Sequence, residues 1–96
     1  MSAYVLVEIE VTNQEEYAAY GKLALENVAR HGGRFLVRGG ETDMLEGQWA
    51  PRIVVLEFES LDAIRRWYHS DDYQQIAAMR LNSTNSRLIA VEGVDD

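Results

Sequence analysis

The sequence contains two histidines, the side-chain type that trades protons near neutrality, and no cysteine. Thiol nucleophiles, disulfides and Cys-ligated metal sites are therefore excluded. His31 sits where a helical pattern ends, in HGG. There it either closes the helix terminus or, because its stripe points toward a sheet, serves as a general acid/base. Arg38, just before a second glycine pair, is a candidate anchor for a substrate carboxylate. Tyr17, Tyr20, Trp67, Tyr68 and Tyr73 recur at helical spacing. Such a stripe packs a core, and it also suits the wall of a pocket for a planar or hydrophobic ligand.

Other groups carry weaker chemistry. His69, Asp71 and Asp72 are metal-ligand types, yet the segment reads as a polar break with both aspartates favouring a new helix N-terminus. Glu8, Glu10, Glu57 and Glu59 lie on two strand patterns, with Arg34, Arg38, Arg52 and Arg87 available to pair with them, favoured as Glu–Arg pairing across a subunit interface. Trp49, in a turn, either packs on a partner or lids a pocket. The glycine pairs Gly32-Gly33 and Gly39-Gly40 are not a phosphate cradle. Such loops precede a helix N-terminus, whereas the first pair follows a helix. They read as a helix cap and a strand bulge.

The elements that must position these groups follow from periodicity. Ala3, Val5, Val7, Ile9 and Val11 alternate with Tyr4, Leu6, Glu8 and Glu10, a strand with one wholly apolar face. Thr12 or Asn13 caps a helix running to His31. Arg34–Arg38 is a second strand, expected to continue after the bulge as Glu41–Glu46. Arg52–Glu59 is a third, apolar on both faces and therefore central. Ser60 caps a second helix, broken at His69–Asp72 and re-capped by Ser70. Asn82–Ser86 reads as polar loop, Arg87–Glu92 as the last strand and Val94–Asp96 as a tail. The order β-α-β-β-α-β with right-handed crossovers predicts a ferredoxin-like α+β domain spanning 1–96. Its antiparallel sheet is ordered 4-1-3-2, with the helices on one face.

That arrangement leaves one sheet face bare. Tyr4, Leu6, Ile53 and Val55 would form an apolar patch there, which a second copy would cover to make a closed dimeric barrel. A chain of this length buries only about 60–65% of its unfolded surface, which favours a homodimer. Nine basic against sixteen acidic residues give a net charge of −7, which disfavours nucleic acid and anionic membrane surfaces as partners. The longest strongly apolar run, Ile53–Leu56, is too short to span a bilayer, and the N-terminus has no signal-peptide pattern. Cytoplasmic location is the expectation, and the sequon at Asn82 reads as coincidence.

The stretches AYVLVEIEVTNQEEYAAY, HGGRFLVRGGE, LEGQW, RIVVLEF, RRWYHSDDYQ and SRLIAVEG together resemble the family called domain of unknown function 1330, over nearly the whole chain. The resemblance implies the dimeric α+β barrel superfamily, whose relatives include cofactor-free monooxygenases, muconolactone isomerase and haem-binding chlorite dismutases. It implies no particular activity. The leading expectation is a cofactor-independent isomerase or monooxygenase acting on an aromatic or carboxylated metabolite, with His31 as acid/base and Arg38 as anion anchor. A non-catalytic ligand- or protein-binding module is the alternative. Haem binding would require His31 or His69 as the axial ligand.

Overall fold

The computed structural model describes residues 2–94. Its element order is β1 Ala3–Val11, α1 Gln14–Arg30, β2 Arg34–Arg38, β3 Arg52–Phe58, α2 Leu61–Tyr68, α3 Asp71–Ser83 and β4 Thr84–Glu92. The four strands form one antiparallel sheet in the order β2-β3-β1-β4, the expected 4-1-3-2 read from the other edge. Among the described residues, no helix is long and apolar enough to cross a membrane. Of the expected tail, Asp95 and Asp96 lie outside the described residues.

Period-two alternation decides which sheet face meets the helices. Ala3, Val5, Val7 and Ile9 of β1 and Val54, Leu56 and Phe58 of β3 are buried, and they join Val28, Ile64, Trp67 and Tyr73 in a single core. Each helix begins at a side-chain cap. The Asn13 Oδ1 accepts from the Glu16 N–H, Ser60 Oγ from Ala63 and Ser70 Oγ from Tyr73. The helical break at His69-Ser70 thus separates α2 from α3, as the pattern predicts. Helix α1 ends in a Schellman motif: Gly33 N–H donates to Val28 O at 2.9 Å and Gly32 N–H to Ala29 O at 3.1 Å. Gly32 takes φ +84°, a conformation costly for any side chain with a Cβ.

Three expectations need correction. Residues 41–46 are not strand. Arg38 already pairs with Val54, and Pro51, lacking an N–H, stands just before the ladder's end at Arg52, so a longer β2 would have no partner. The bulge is not at Gly39-Gly40 but between Phe35 and Val37. Gly39 instead ends β2, donating to Ile53 O at 3.0 Å and turning away at φ +73°. Finally, β4 begins at Thr84 and not at Arg87, pairing Thr84 with Val11, Asn85 with Glu10 and Ser86 with Ile9. The polar side chains that suggested a loop are used in the fold: Thr84 Oγ1 donates to Arg80 O at 2.6 Å and closes the end of α3.

The uncovered face carries an apolar row across all four strands. Val37 pairs with Val55, Val55 with Leu6, and Leu6 with Ile89. Leu6 is 41% and Ile89 64% exposed, although both are large aliphatics in regular strands. Ion pairs flank the row within the chain. Arg34 Nε donates to Glu57 Oε1 at 2.7 Å, and Arg87 bonds Glu8. The sequence predicted such pairing across an interface; the structure places it between neighbouring strands of one chain.

Candidate functional site

Between the helices and the covered sheet face lies a cavity of about 680 Å³. Helix α1 supplies Tyr17 and Tyr20, three residues apart and therefore on one side. Trp67 comes from α2, and α3 contributes Tyr73 and, two turns later on the same stripe, Arg80. The floor is Val7 and Ile9 of β1 with Val54 and Leu56 of β3. Four aromatic walls over an aliphatic floor suit a planar apolar molecule.

Arg38 reaches this cavity because of the bulge. Phe35 pairs with Leu56 and faces the core, so regular alternation would send residue 37 inward and Arg38 to the open face. The extra residue at Leu36 reverses the pattern, giving Val37 to the apolar row and Arg38 to the cavity. The guanidinium of Arg38 lies over the Phe35 ring at 5.4 Å. Arg52 lines the same cavity: its Nε donates to the Tyr17 hydroxyl at 2.9 Å and its guanidinium lies 5.3 Å from that ring's centroid. Gly39 makes room for it, since a Cβ there would stand 2.1 Å from Arg52 Nη1.

Deeper in, the Tyr20 and Tyr73 hydroxyls are 2.9 Å apart. Burial, and then the neighbouring Tyr73, push the Tyr20 hydroxyl well above the ordinary tyrosine range, so it stays protonated. Beside them lies Arg80, only 3% exposed. Its Nη1 donates to Ser86 Oγ at 2.8 Å, its Nε has no partner, and no carboxylate pairs with it among the described residues.

His31 and Tyr68 are not brought to the cavity wall. His31 Nε2 donates to Asp72 Oδ2 at 2.9 Å, on the seam between α1 and α3. The same oxygen accepts from Asn27 Nδ2 at 3.0 Å and from Arg30 at 3.3 Å. Asn27 Oδ1 in turn accepts from the Trp67 indole at 3.0 Å. A continuous hydrogen-bonded chain thus runs from half-buried His31 to a wall of the cavity. The His31 bond, then the Ser70 hydroxyl, hold the Asp72 carboxyl far below the usual carboxylate range. Tyr68 packs against Tyr73 at 5.7 Å, and edge-on to His69 at 5.2 Å. Among the described residues, no three His, Asp or Glu side chains converge to hold a metal. Neither histidine lines the cavity, so neither offers an axial ligand to a group bound there.

Sequence reasoning missed Arg52 and Arg80 as wall residues. The signal for Arg80 was present: a charged residue on the stripe Tyr73, Ile76, Ala77, Arg80, where apolar side chains face inward. Trp49 is away from this cavity; its indole donates to Glu46 O at 2.9 Å, and Ala50 N–H donates to Glu8 at 3.2 Å.

Fold and cavity together define a ferredoxin-like α+β protein with a chamber between its helix layer and its sheet. The chain belongs to the family described as domain of unknown function (DUF1330), whose model matches residues 2–94. None of the curated proteins matches it in sequence. Among solved structures, a protein of unknown function from Rhodopseudomonas palustris superposes at a TM-score of 0.79 with 22% identity, covering 99% of this chain and 84% of that one. A dimeric ferredoxin-like protein of unknown function from Jannaschia sp. CCS1 gives 0.76 and 11%, covering 97% and 100%. SnoaB, a cofactor-independent oxygenase from Streptomyces nogalater, gives 0.65 and 16%, covering 99% and 95%. At these identities the likeness shows the fold.

Proposed function

We propose that this protein is a cytoplasmic homodimer, joined through the open sheet face, that binds a small aromatic or carboxylated molecule in the chamber between helices and sheet. The cavity of about 680 Å³ carries the reading: it lies within the usual range for ligand pockets and is walled by aromatics beneath arginines. Thermal denaturation against a panel of aromatic carboxylates tests this. At least one should raise the midpoint in a concentration-dependent way; a panel without effect would remove the reading.

The dimer rests on the row Val37, Val55, Leu6 and Ile89, which exposes more continuous apolar surface than a lone domain usually leaves in water. Its flanking carboxylates are already neutralised within the chain. Glu8 is held below its ordinary pKa by Arg87 and the Ala50 N–H, and Glu57 by Ser2 and Arg34, so these two carboxylates meet a second sheet already paired. A dimeric form among the structural neighbours agrees with it. Val55→Glu should give a monomeric or unfolded species by sedimentation velocity, and a profile identical to the wild type would count against the dimer.

Turnover is the second reading, favoured by the fold shared with a cofactor-independent oxygenase. His31 then acts on the chamber through Asp72, Asn27 and Trp67, as a positioning residue. His31→Ala would lower kcat while leaving ligand affinity and dimerisation in place.

A further inference from the structure

Arg80 is the most deeply buried cation of the chain, and it faces hydroxyls in place of a carboxylate. Arginine does not escape burial by losing its proton. The Tyr73 and Tyr20 hydroxyls offset part of the cost of burying its guanidinium, but they are neutral, and among the described residues Nε has no hydrogen-bond partner. Two structural explanations fall short. Ser86 supplies one neutral acceptor to one nitrogen. The negative end of α3 is close, but its Met79 and Arg80 carbonyls already accept from the Ser83 and Thr84 hydroxyls, both at 2.6 Å.

The surroundings share this bias. The whole chain has nine basic and sixteen acidic residues, yet the cavity wall has four basic residues, Lys22, Arg38, Arg52 and Arg80, against one acidic, Glu10. An acidic protein has gathered nearly half of its cations around one chamber. Hydrogen bonding points the same way. Two hydroxyls share a single bond between Tyr20 and Tyr73, so one of their two O–H groups is left to donate elsewhere. The deep end therefore has donors to spare, and its acceptors among the described residues are neutral hydroxyls.

We propose that Arg80 anchors the carboxylate of an aromatic monocarboxylate. The acid end points inward to the guanidinium and the Tyr20 hydroxyl, and the ring lies against Tyr17. This rests on the cavity being a ligand site. A carboxylate is acceptor-only and planar, so it matches a donor-only planar fork. The anchor is then Arg80, while Arg38 and Arg52 attract the anion at the mouth.

Isothermal titration of the full chain with 2-naphthoate and its neutral isostere 2-naphthamide tests the assignment. The wild type should bind naphthoate about 10- to 100-fold more tightly than the amide, the range expected of a desolvated charge-assisted pair. Arg80→Met should lose that preference and keep its affinity for the amide. Equal binding of both probes by the wild type, or a preference surviving in Arg80→Met, overturns the role of Arg80 and leaves the chamber a ligand site. Binding of neither probe overturns the ligand-site reading and the anchor with it. Should Arg80→Met not fold, Arg80→Lys decides, since it keeps the charge and loses the fork. Naphthoate should then weaken about tenfold with the amide unchanged, and equal weakening of both would defeat the proposal.

Discussion

The seam between α1 and α3 carries two polar clusters, eight residues and so about 12 Å apart along α3, and they are built on opposite terms. At Asp72 an exposed carboxylate gathers three donors, Asn27, Arg30 and His31. At Arg80 a buried cation has only neutral hydroxyls around it, and its Nε has no partner among the described residues. The first cluster is complete as it stands and behaves as a clamp holding two helices and the Trp67 indole in register. The second stays open among the described residues, with one guanidinium nitrogen left without a partner. The two clusters differ in whether their hydrogen bonds close.

The sharpest way to break this contrast is at Asn27. Its side chain is buried and joins Trp67 to Asp72, so Asn27→Ala leaves an indole N–H in the core without a partner and opens a small void. The expected loss is about 3 kcal/mol, a large fraction of what a small domain has to spare. Urea unfolding should show the midpoint falling by about 1–3 M. A change near zero would mean that the clamp contributes little.

Arg80→Met should act in the other direction. It fills similar volume, removes a desolvated charge that only neutral hydroxyls offset, and gives up the hydrogen bond to Ser86. The ligand-free protein should become more stable by about 1 kcal/mol, which raises the melting midpoint by about 5 °C in a domain of this size. A residue whose removal stabilises the fold is retained for another reason. If Arg80→Met instead destabilises as Asn27→Ala does, Arg80 belongs with the clamp and the contrast collapses.

The sheet was legible because its signals are local. Alternation in β1, apolar content on both sides of β3 and capping residues at 13, 60 and 70 all act within a few positions. The site was less so. Which way Arg38 points depends on a bulge at Leu36, and that bulge arises from the register of β2 against β3, a relation between residues about twenty positions apart. Thr84, Asn85 and Ser86 looked like loop because polarity usually means solvent, whereas here their hydroxyls and amides close α3 and hold Arg80 and Glu10. His31 was placed correctly at a helix end, but its partner Asp72 lies 41 residues away, and nothing near His31 in sequence shows that its ring is already engaged. Arg80 stood on the inward stripe. What the sequence could not show is that, among the described residues, no carboxylate meets it there.

The smallest effect is expected at Asp72, and it is resolved by pH. The His31 bond, followed by the Ser70 hydroxyl, lowers the carboxyl's pKa in the folded state, whereas the unfolded chain titrates near the ordinary value of 3.8. A depressed folded pKa contributes stability that is present above the unfolded value and is lost as pH falls through about 4 and below. Asp72→Asn removes that contribution at every pH. The mutant should therefore melt below the wild type at pH 7, with the gap closing between about pH 4 and the acid limit. Glu8 and Glu57 also have lowered pKa values, so both proteins will lose stability in acid. Because those two carboxylates titrate alike in wild type and mutant, the difference between the two curves isolates Asp72. A gap that stayed constant down to pH 3 would show that the clamp is held by shape and not by the charge on Asp72.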